Sequence, residues 1–234
     1  MIPFRDDVPS RTTPVATILL IVANVAIFLY QLTLSPVGLE QFFLMNGVIP
    51  ERFDLASGSP VASLLETTPT LFSSMFLHGG WLHLLGNMLY LWIFGDNVED
   101  RMGHLRFLFF YAFCGLAAGI AHILFNLSSP LPSIGASGAV AGVLGAYLLC
   151  YPFARVRTLI PLFLIWPIVE LPALIVLGSW FVIQVIQGTA ALGGGELGGG
   201  IAWWAHVGGF VTGMLMIGVF ARPVDRRYRW ELEA

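Results

Sequence analysis

The sequence predicts an all-α polytopic membrane protein with six transmembrane helices. Hydrophobic residues make up 57% of the chain and charged residues only 11%, and the mean hydropathy is +0.81. A soluble domain carries about 25% charged residues, so this chain has too little polar surface to face water on every side. Long apolar runs and a one-sided distribution of arginine point to the same class. No repeat divides the chain, and residues 1–234 are expected to form a single membrane domain.

The predicted spans follow the apolar runs, because a helix needs about 20 apolar residues to cross a bilayer. They are Pro14–Leu32, Trp81–Phe94, Leu105–Leu127, Gly135–Leu149, Thr158–Ile186 and Ile201–Phe220. The first run lacks a clear cleavage site, so we expect a retained helix and not a signal peptide. The fifth run is long and contains three prolines, which predict a kinked or tilted helix. Residues 33–80 are expected to form a long, partly structured outer loop against the membrane surface.

Arginine predicts the orientation in the membrane. Ten of the eleven arginines fall in the N-terminal segment, the 95–106 and 151–157 connections and the C-terminal tail, and only Arg52 falls in the opposite connections. Cytoplasmic loops are enriched in Lys and Arg, so both termini are expected in the cytoplasm. The chain has no lysine and no basic patch suited to nucleic acid.

Polar residues inside the predicted spans are the first places to look for function, because polar groups are costly in lipid. His83 and Asn87 lie four residues apart within HGGWLHLLGNM and therefore share a helix face. Ser137 opens the fourth span, and His206 lies near the outer end of the sixth. Each residue alone is also compatible with a helix–helix hydrogen bond or simple packing. Together, Ser137, His83 and His206 are predicted to lie at one depth, near the outer face.

Small residues form one stripe beside Ser137 and another beside His206. Such stripes let membrane helices approach backbone to backbone, so two facing stripes would bring the serine against the histidine. The glycines expected to pack near the site are Gly135, Gly138, Gly142, Gly209 and Gly213.

A serine beside a neutral histidine can carry out nucleophilic catalysis. The imidazole takes the hydroxyl proton and later returns it to a leaving amine. The Ser137 amide, Asn87 and His83 would donate hydrogen bonds to the oxyanion. No acidic residue is placed to orient His206, so a dyad is favoured over a triad.

The motifs HGGWLHLLGNM, VEDRMG, GASGA and AHVGG, taken in this order, resemble those of the rhomboid family of intramembrane serine proteases. The resemblance covers nearly the whole chain. It implies a six-helix bundle that hydrolyses peptide bonds in or beside the transmembrane segments of membrane-protein substrates. It places the dyad on Ser137 and His206, and the oxyanion donors on His83, Asn87 and the Ser137 amide. The chain resembles a minimal prokaryotic-type member, expected in a plasma membrane with its active site toward the external face.

Hydrolysis inside a membrane needs water, so we expect a cavity open to the outer face and sideways entry of the substrate from the bilayer. The fifth span, with the first loop, is the candidate gate. Substrates with helix-weakening Gly or Pro and a small residue at the cut are expected, from helix propensity and from the family resemblance. No cofactor or metal is expected, and the oligomeric state is left open.

Two other classes of function stay open. A transporter would also place polar groups in the membrane and break helices with proline, although no inverted repeat is visible. A non-catalytic adaptor that binds membrane helices would share the fold without needing the pair of Ser137 and His206. Glu170, near the middle of the fifth predicted span, is an ionisable residue to which we assign no catalytic role.

Overall fold

The structure is a computed structural model that describes residues 1–53, 67–161, 165–192 and 201–222. It is mostly helical, and a small antiparallel sheet has the strand order β1-β2-β3. The helices are α1 (Val15–Gln31), α2 (Pro36–Asn46), α3 (Thr70–Ser73), α4 (Trp81–Met102), α5 (His104–Phe125), α6 (Ser137–Cys150), α7 (Ala173–Leu192) and α8 (Trp203–Phe220). The strands are β1 (Ile2–Asp6), β2 (Arg155–Leu159) and β3 (Ile168–Pro172), and Pro50–Phe53 and Ser74–Phe76 form 3₁₀ turns.

Within the described ranges, three helices are long and apolar enough to cross a membrane: α5, α7 and α8. Helices α1 and α6 are apolar but shorter. Large apolar side chains point outward, with Leu82 exposed by 88%, Leu215 by 69% and Val219 by 70%. Such exposed apolar surface is typical of a protein that lies in lipid. The structure therefore supports a helical membrane protein, and the count of six crossings stays a prediction.

The observed helices follow four of the predicted runs to within two residues: the first, third, fourth and sixth. The second continues past Phe94 to Met102, through a charged segment. The buried carboxylate of Glu99 in that segment accepts hydrogen bonds from the backbone N–H groups of Ala16 and Thr17. Helix α4 can therefore continue through this segment because the Glu99 carboxylate is hydrogen-bonded. The same carboxylate accepts from backbone N–H groups in the first turn of α1, which have no acceptor within their own helix.

The prediction of a single helix across Thr158–Ile186 is wrong, and the predicted all-α fold, although mostly helical, also contains a small sheet. Residues 155–159 pair antiparallel with both β1 and β3, and α7 begins only at Ala173. Proline has no N–H to donate and clashes with a preceding helical turn. The prolines of this apolar run therefore favour an extended hairpin, and helix formation begins directly after Pro172.

Glu170 is consequently not in the middle of a membrane helix. It lies on β3 opposite Arg157 of β2, and the Arg157 Nε atom is 3.0 Å from its Oε1. Both side chains are exposed. An exposed ion pair of this kind contributes little to stability, at most about 1 kcal/mol.

Helix α6 forms the centre of the bundle. Every residue from Gly138 to Leu148 is buried, and the helix packs against α4, α5 and α8. Its many Gly and Ala residues allow this close approach. Ser137 is the first residue of α6, so the packing of this central helix sets the position of the serine.

The segment between α1 and α4 contains α2, α3 and the two 3₁₀ turns, and residues 54–66 of the predicted outer loop lie outside the described residues. A reciprocal hydrogen-bond pair ties its end to α1. The Gln31 side-chain amide donates to the His78 carbonyl oxygen at 2.7 Å and accepts from the His78 N–H at 3.1 Å. This pair of hydrogen bonds fixes the residues that precede α4, the helix that carries His83 and Asn87.

Candidate active site

The hydroxyl of Ser137 contacts the imidazole of His206. Ser137 begins α6, His206 lies in the first turns of α8, and the distance from Ser137 Oγ to His206 Nε2 is 2.7 Å. The two residues are 69 positions apart in the chain. Both are half-buried, so the pair is not sealed inside the protein. The distance is that of a good hydrogen bond.

Glycines bring the backbones of α6 and α8 into contact beside this pair. A Cβ atom built on Gly209 would lie 2.0 Å from the carbonyl oxygen of Gly138, and one built on Gly213 would lie 1.9 Å from that of Gly142. Real Cβ atoms essentially never come within 3.0 Å of another heavy atom. Any larger residue at these positions would separate the helices, and the serine would move away from the histidine.

Gly135 serves a different purpose, in the loop before α6. Its φ is +130°, a conformation that L side chains rarely adopt. A Cβ there would also lie 2.7 Å from His83 Nε2 and 3.6 Å from Ser137 Oγ. The missing side chain thus leaves a gap between the His83 ring and the serine hydroxyl.

The orientation of His83 follows from its own contact. Its Nδ1 accepts a hydrogen bond from the Gly79 N–H at 3.4 Å. A neutral imidazole has one donor and one acceptor nitrogen, so the proton lies on Nε2, the atom next to Gly135. His83 therefore presents a donor toward the space beside Ser137.

Asn87 is buried, and its Nδ2 has no hydrogen-bond partner among the described residues. A buried donor without a partner is uncommon, and such groups often have a catalytic or ligand-binding role. His78, which the sequence analysis did not include in the site, packs its ring against His83 with ring centroids 5.0 Å apart.

One residue of the site was missed at the sequence level. Gln184 of α7 is 5% exposed, and its Oε1 lies 2.7 Å from Nδ1 of His206. The sequence offered no acid to orient the histidine, and an amide fills that position instead. A polar residue within an apolar helix was the available signal, because Gln184 stands in FVIQVIQG.

A small cavity of about 30 Å³ adjoins Ser137. A cavity of this size admits a water molecule. Its lining is made largely of small residues and includes Met75, Gly115, Gly119, Ile134, Ser137 and Gly138. The space next to the hydroxyl is therefore narrow and lined by small side chains.

A model of the Rhomboid domain matches residues 66–223, about two thirds of the chain. The chain belongs to the rhomboid family. The match spans α4 to α8 and so contains all of the site residues described above. Its family and its apolar helices make this rhomboid protein an integral membrane protein.

Similar proteins come from plants, yeast and bacteria. RHOMBOID-like protein 4 of Arabidopsis thaliana is 34% identical over 160 residues, which cover 68% of this chain and 35% of that protein. Rhomboid protein 1, mitochondrial, of Saccharomyces cerevisiae is 30% identical over 173 residues, covering 70% and 45%. Rhomboid protease GluP of Bacillus subtilis is 46% identical over 78 residues, covering 33% and 15%. This rhomboid protein spans less than half the length of each of these relatives.

Proposed function

We propose that this rhomboid protein is an intramembrane serine endopeptidase, with Ser137 as nucleophile and His206 as general base. The observation that carries the proposal is the contact of 2.7 Å between Ser137 Oγ and His206 Nε2. A serine hydroxyl is a weak nucleophile until a base takes its proton. An imidazole nitrogen at this distance is within reach to do so.

The chemistry proceeds in two stages. Ser137 Oγ attacks the carbonyl carbon of the scissile peptide bond while His206 Nε2 accepts the hydroxyl proton. The histidine returns that proton to the leaving amine as the C–N bond breaks, which leaves an acyl-enzyme. Water then attacks the ester with the same histidine as base, and the carboxylic acid product departs.

We propose three donors for the oxyanion of each tetrahedral intermediate. The Ser137 N–H, at the start of α6, has no acceptor within its own helix. The Nε2–H of His83 faces the gap at Gly135, and the Nδ2 of Asn87 is a buried donor without a partner among the described residues. Losing one such donor lowers the rate by about 10²–10³-fold, so Asn87→Ala should retain weak activity.

The proposed substrates are transmembrane segments of other membrane proteins. A helical segment must unwind before its carbonyl can be attacked, so helix-weakening Gly or Pro near the cut should help. The small cavity beside Ser137 favours a small side chain at the cut. Helix α7 is the proposed gate, because only five of its 20 residues are buried.

For the topology we propose six crossings, by α1 and by α4 to α8, with the dyad toward the external face of a bacterial or archaeal plasma membrane. Arg155 and Arg157 lie on the strand that pairs with the N-terminal strand, and Arg222 donates its N–H to the Arg101 carbonyl. The arginine-rich connections thus gather at the end of the bundle away from Ser137. The positive-inside rule makes that end cytoplasmic.

The test is cleavage of a labelled single-span protein by the purified rhomboid protein in liposomes. Ser137→Ala and His206→Ala should each lower cleavage by about 10⁴-fold or more. Ser179→Ala is the matched control, since among the described residues the Ser179 hydroxyl donates only to the Val176 carbonyl on α7, and this variant should cleave normally. Equal cleavage by wild type and Ser137→Ala would rule out the serine mechanism.

A fluorophosphonate probe separates the proposal from the rival classes. A protease should form a covalent adduct at Ser137 that is lost in His206→Ala, whereas an adaptor or a transporter should not react.

A further inference from the structure

The structure assigns Gln184 as the residue that positions His206 for catalysis, an inference that rests on the proposed protease function. The side chain reaches from α7 to the imidazole, with Gln184 Oε1 2.7 Å from His206 Nδ1. Ser137 lies on the other side of the ring, 2.7 Å from Nε2. One chain of hydrogen bonds therefore joins three helices: α7, α8 and α6.

The direction of this chain follows from Gln184's second contact. Its Nε2 lies 3.3 Å from the Trp180 carbonyl oxygen, one turn earlier on α7. A carbonyl oxygen can only accept a hydrogen bond, so the amide NH₂ must face Trp180. The amide oxygen is then left facing His206.

The orientation of the amide determines the tautomer of the histidine. An amide oxygen accepts, so Nδ1 of His206 must carry the proton, and neutral imidazole has only one. Nε2 is then an unprotonated acceptor facing the Ser137 hydroxyl. The opposite tautomer would donate to the serine oxygen and could not remove its proton. Gln184 thus selects the tautomer that acts as a base.

Burial holds this arrangement in place. Gln184 is 5% exposed, and a buried amide that loses its partners is strongly disfavoured. The ring of Trp180 also lies beside the imidazole, with centroids 5.8 Å apart. Gln184 does not touch the reacting atoms, so it acts as a positioning residue through His206.

Gln184→Leu removes the acceptor and keeps a side chain of similar bulk. In the liposome assay we expect kcat to fall about tenfold with little change in KM, because a buried neutral hydrogen bond is typically worth up to about this factor. Fluorophosphonate labelling of Ser137 should slow by a similar factor. A small probe does not need the gate, so slower labelling separates an effect on the histidine from an effect on substrate entry.

Gln184→Glu keeps the acceptor and adds a negative charge. A carboxylate next to Nδ1 stabilises the protonated imidazolium, so the acidic limb of the profile of kcat/KM against pH should move up by about one pH unit. A merely structural role for Gln184 would not move this limb. The variant also keeps the test decisive if Gln184→Leu fails to fold.

Gln187→Leu is the matched control, with the same chemical change three positions along α7 at a half-buried site. It should keep the wild-type kcat, labelling rate and pH profile. The inference is overturned if Ser137→Ala is inactive but both Gln184 variants keep the wild-type kcat and pH profile. If Ser137→Ala cleaves as well as wild type, the proposed function fails, and the role of Gln184 falls with it.

Discussion

Replacing Gly209 with alanine should separate α8 from α6 and pull His206 away from Ser137. A Cβ on Gly209 would lie 2.0 Å from the Gly138 carbonyl oxygen, where at least 3.0 Å is needed. The obstacle is backbone, so a side-chain rotation cannot relieve it. The two helices must move apart by about 1 Å at this level.

The displacement acts directly on the proposed dyad. Gly209 lies one turn after His206, and Gly138 follows Ser137 in the chain. Adding about 1 Å to the distance of 2.7 Å between Ser137 Oγ and His206 Nε2 takes it outside the normal hydrogen-bond range. A misplacement of this size lowers the rate by about 10²-fold. Overpacking also lowers the free energy of unfolding by about 1–3 kcal/mol.

Cleavage kinetics in liposomes and thermal unfolding in detergent measure the two effects separately. Gly218→Ala is the control on the same helix, because a Cβ there meets no atom of the described residues within 4 Å. It should retain wild-type kcat and gain up to about 1 kcal/mol of stability from the loss of backbone freedom in the unfolded chain. If Gly209→Ala keeps the wild-type kcat, α6 and α8 can accommodate the added Cβ without separating Ser137 from His206. The reasoning from backbone contact would then be wrong.

Two further predictions concern the end of the bundle away from the dyad. Glu99→Gln should lower the free energy of unfolding by about 1–3 kcal/mol. The buried carboxylate accepts from the N–H groups of Ala16 and Thr17 at 2.9 and 2.8 Å, and the NH₂ of a glutamine cannot accept a hydrogen bond. An unchanged Tm in detergent would contradict this prediction. Burial raises the pKa of Asp6, although the hydrogen bond from Tyr147 acts in the opposite direction. A raised pKa means that the contribution of Asp6 to stability is complete below its ordinary value and is lost as the pH rises through the raised one. Asp6→Asn should therefore flatten the decline of Tm above about pH 4, and a decline as steep as in wild type would refute the assignment.

The hydropathy of the sequence predicted most of the helices, because few backbone conformations are stable in lipid. A backbone in the bilayer must satisfy its hydrogen bonds internally, so an apolar run of sufficient length becomes a helix. The same rule wrongly predicted a helix between Thr158 and Pro172. There the hydrogen-bond partners come from residues 2–6 and from within the hairpin. A window that averages hydropathy along the chain cannot register pairing between segments about 150 positions apart.

At the site, the helical repeat placed polar and small residues on shared faces, and that was enough to pair Ser137 with His206. It was not enough to find Gln184. The rotation of α7 about its own axis decides whether Gln184 faces lipid or the histidine, and that rotation depends on how α7 packs against α8. Asn87 is a similar case. The sequence cannot show that its side-chain amide lacks a hydrogen-bond partner among the described residues, because that depends on the positions of its neighbours in the fold.

The sequence by itself determined that this protein is a helical membrane protein, which residue types stand near the ends of its helices, and the family to which its motifs point. Composition, periodicity and motif order carry that information because they depend on each helix separately. Only the tertiary structure decided which atoms meet: Ser137 Oγ with His206 Nε2, and His206 Nδ1 with Gln184. A hydrogen bond depends on distances to within a few tenths of an ångström, and distances on that scale are set by the packing of helices against one another.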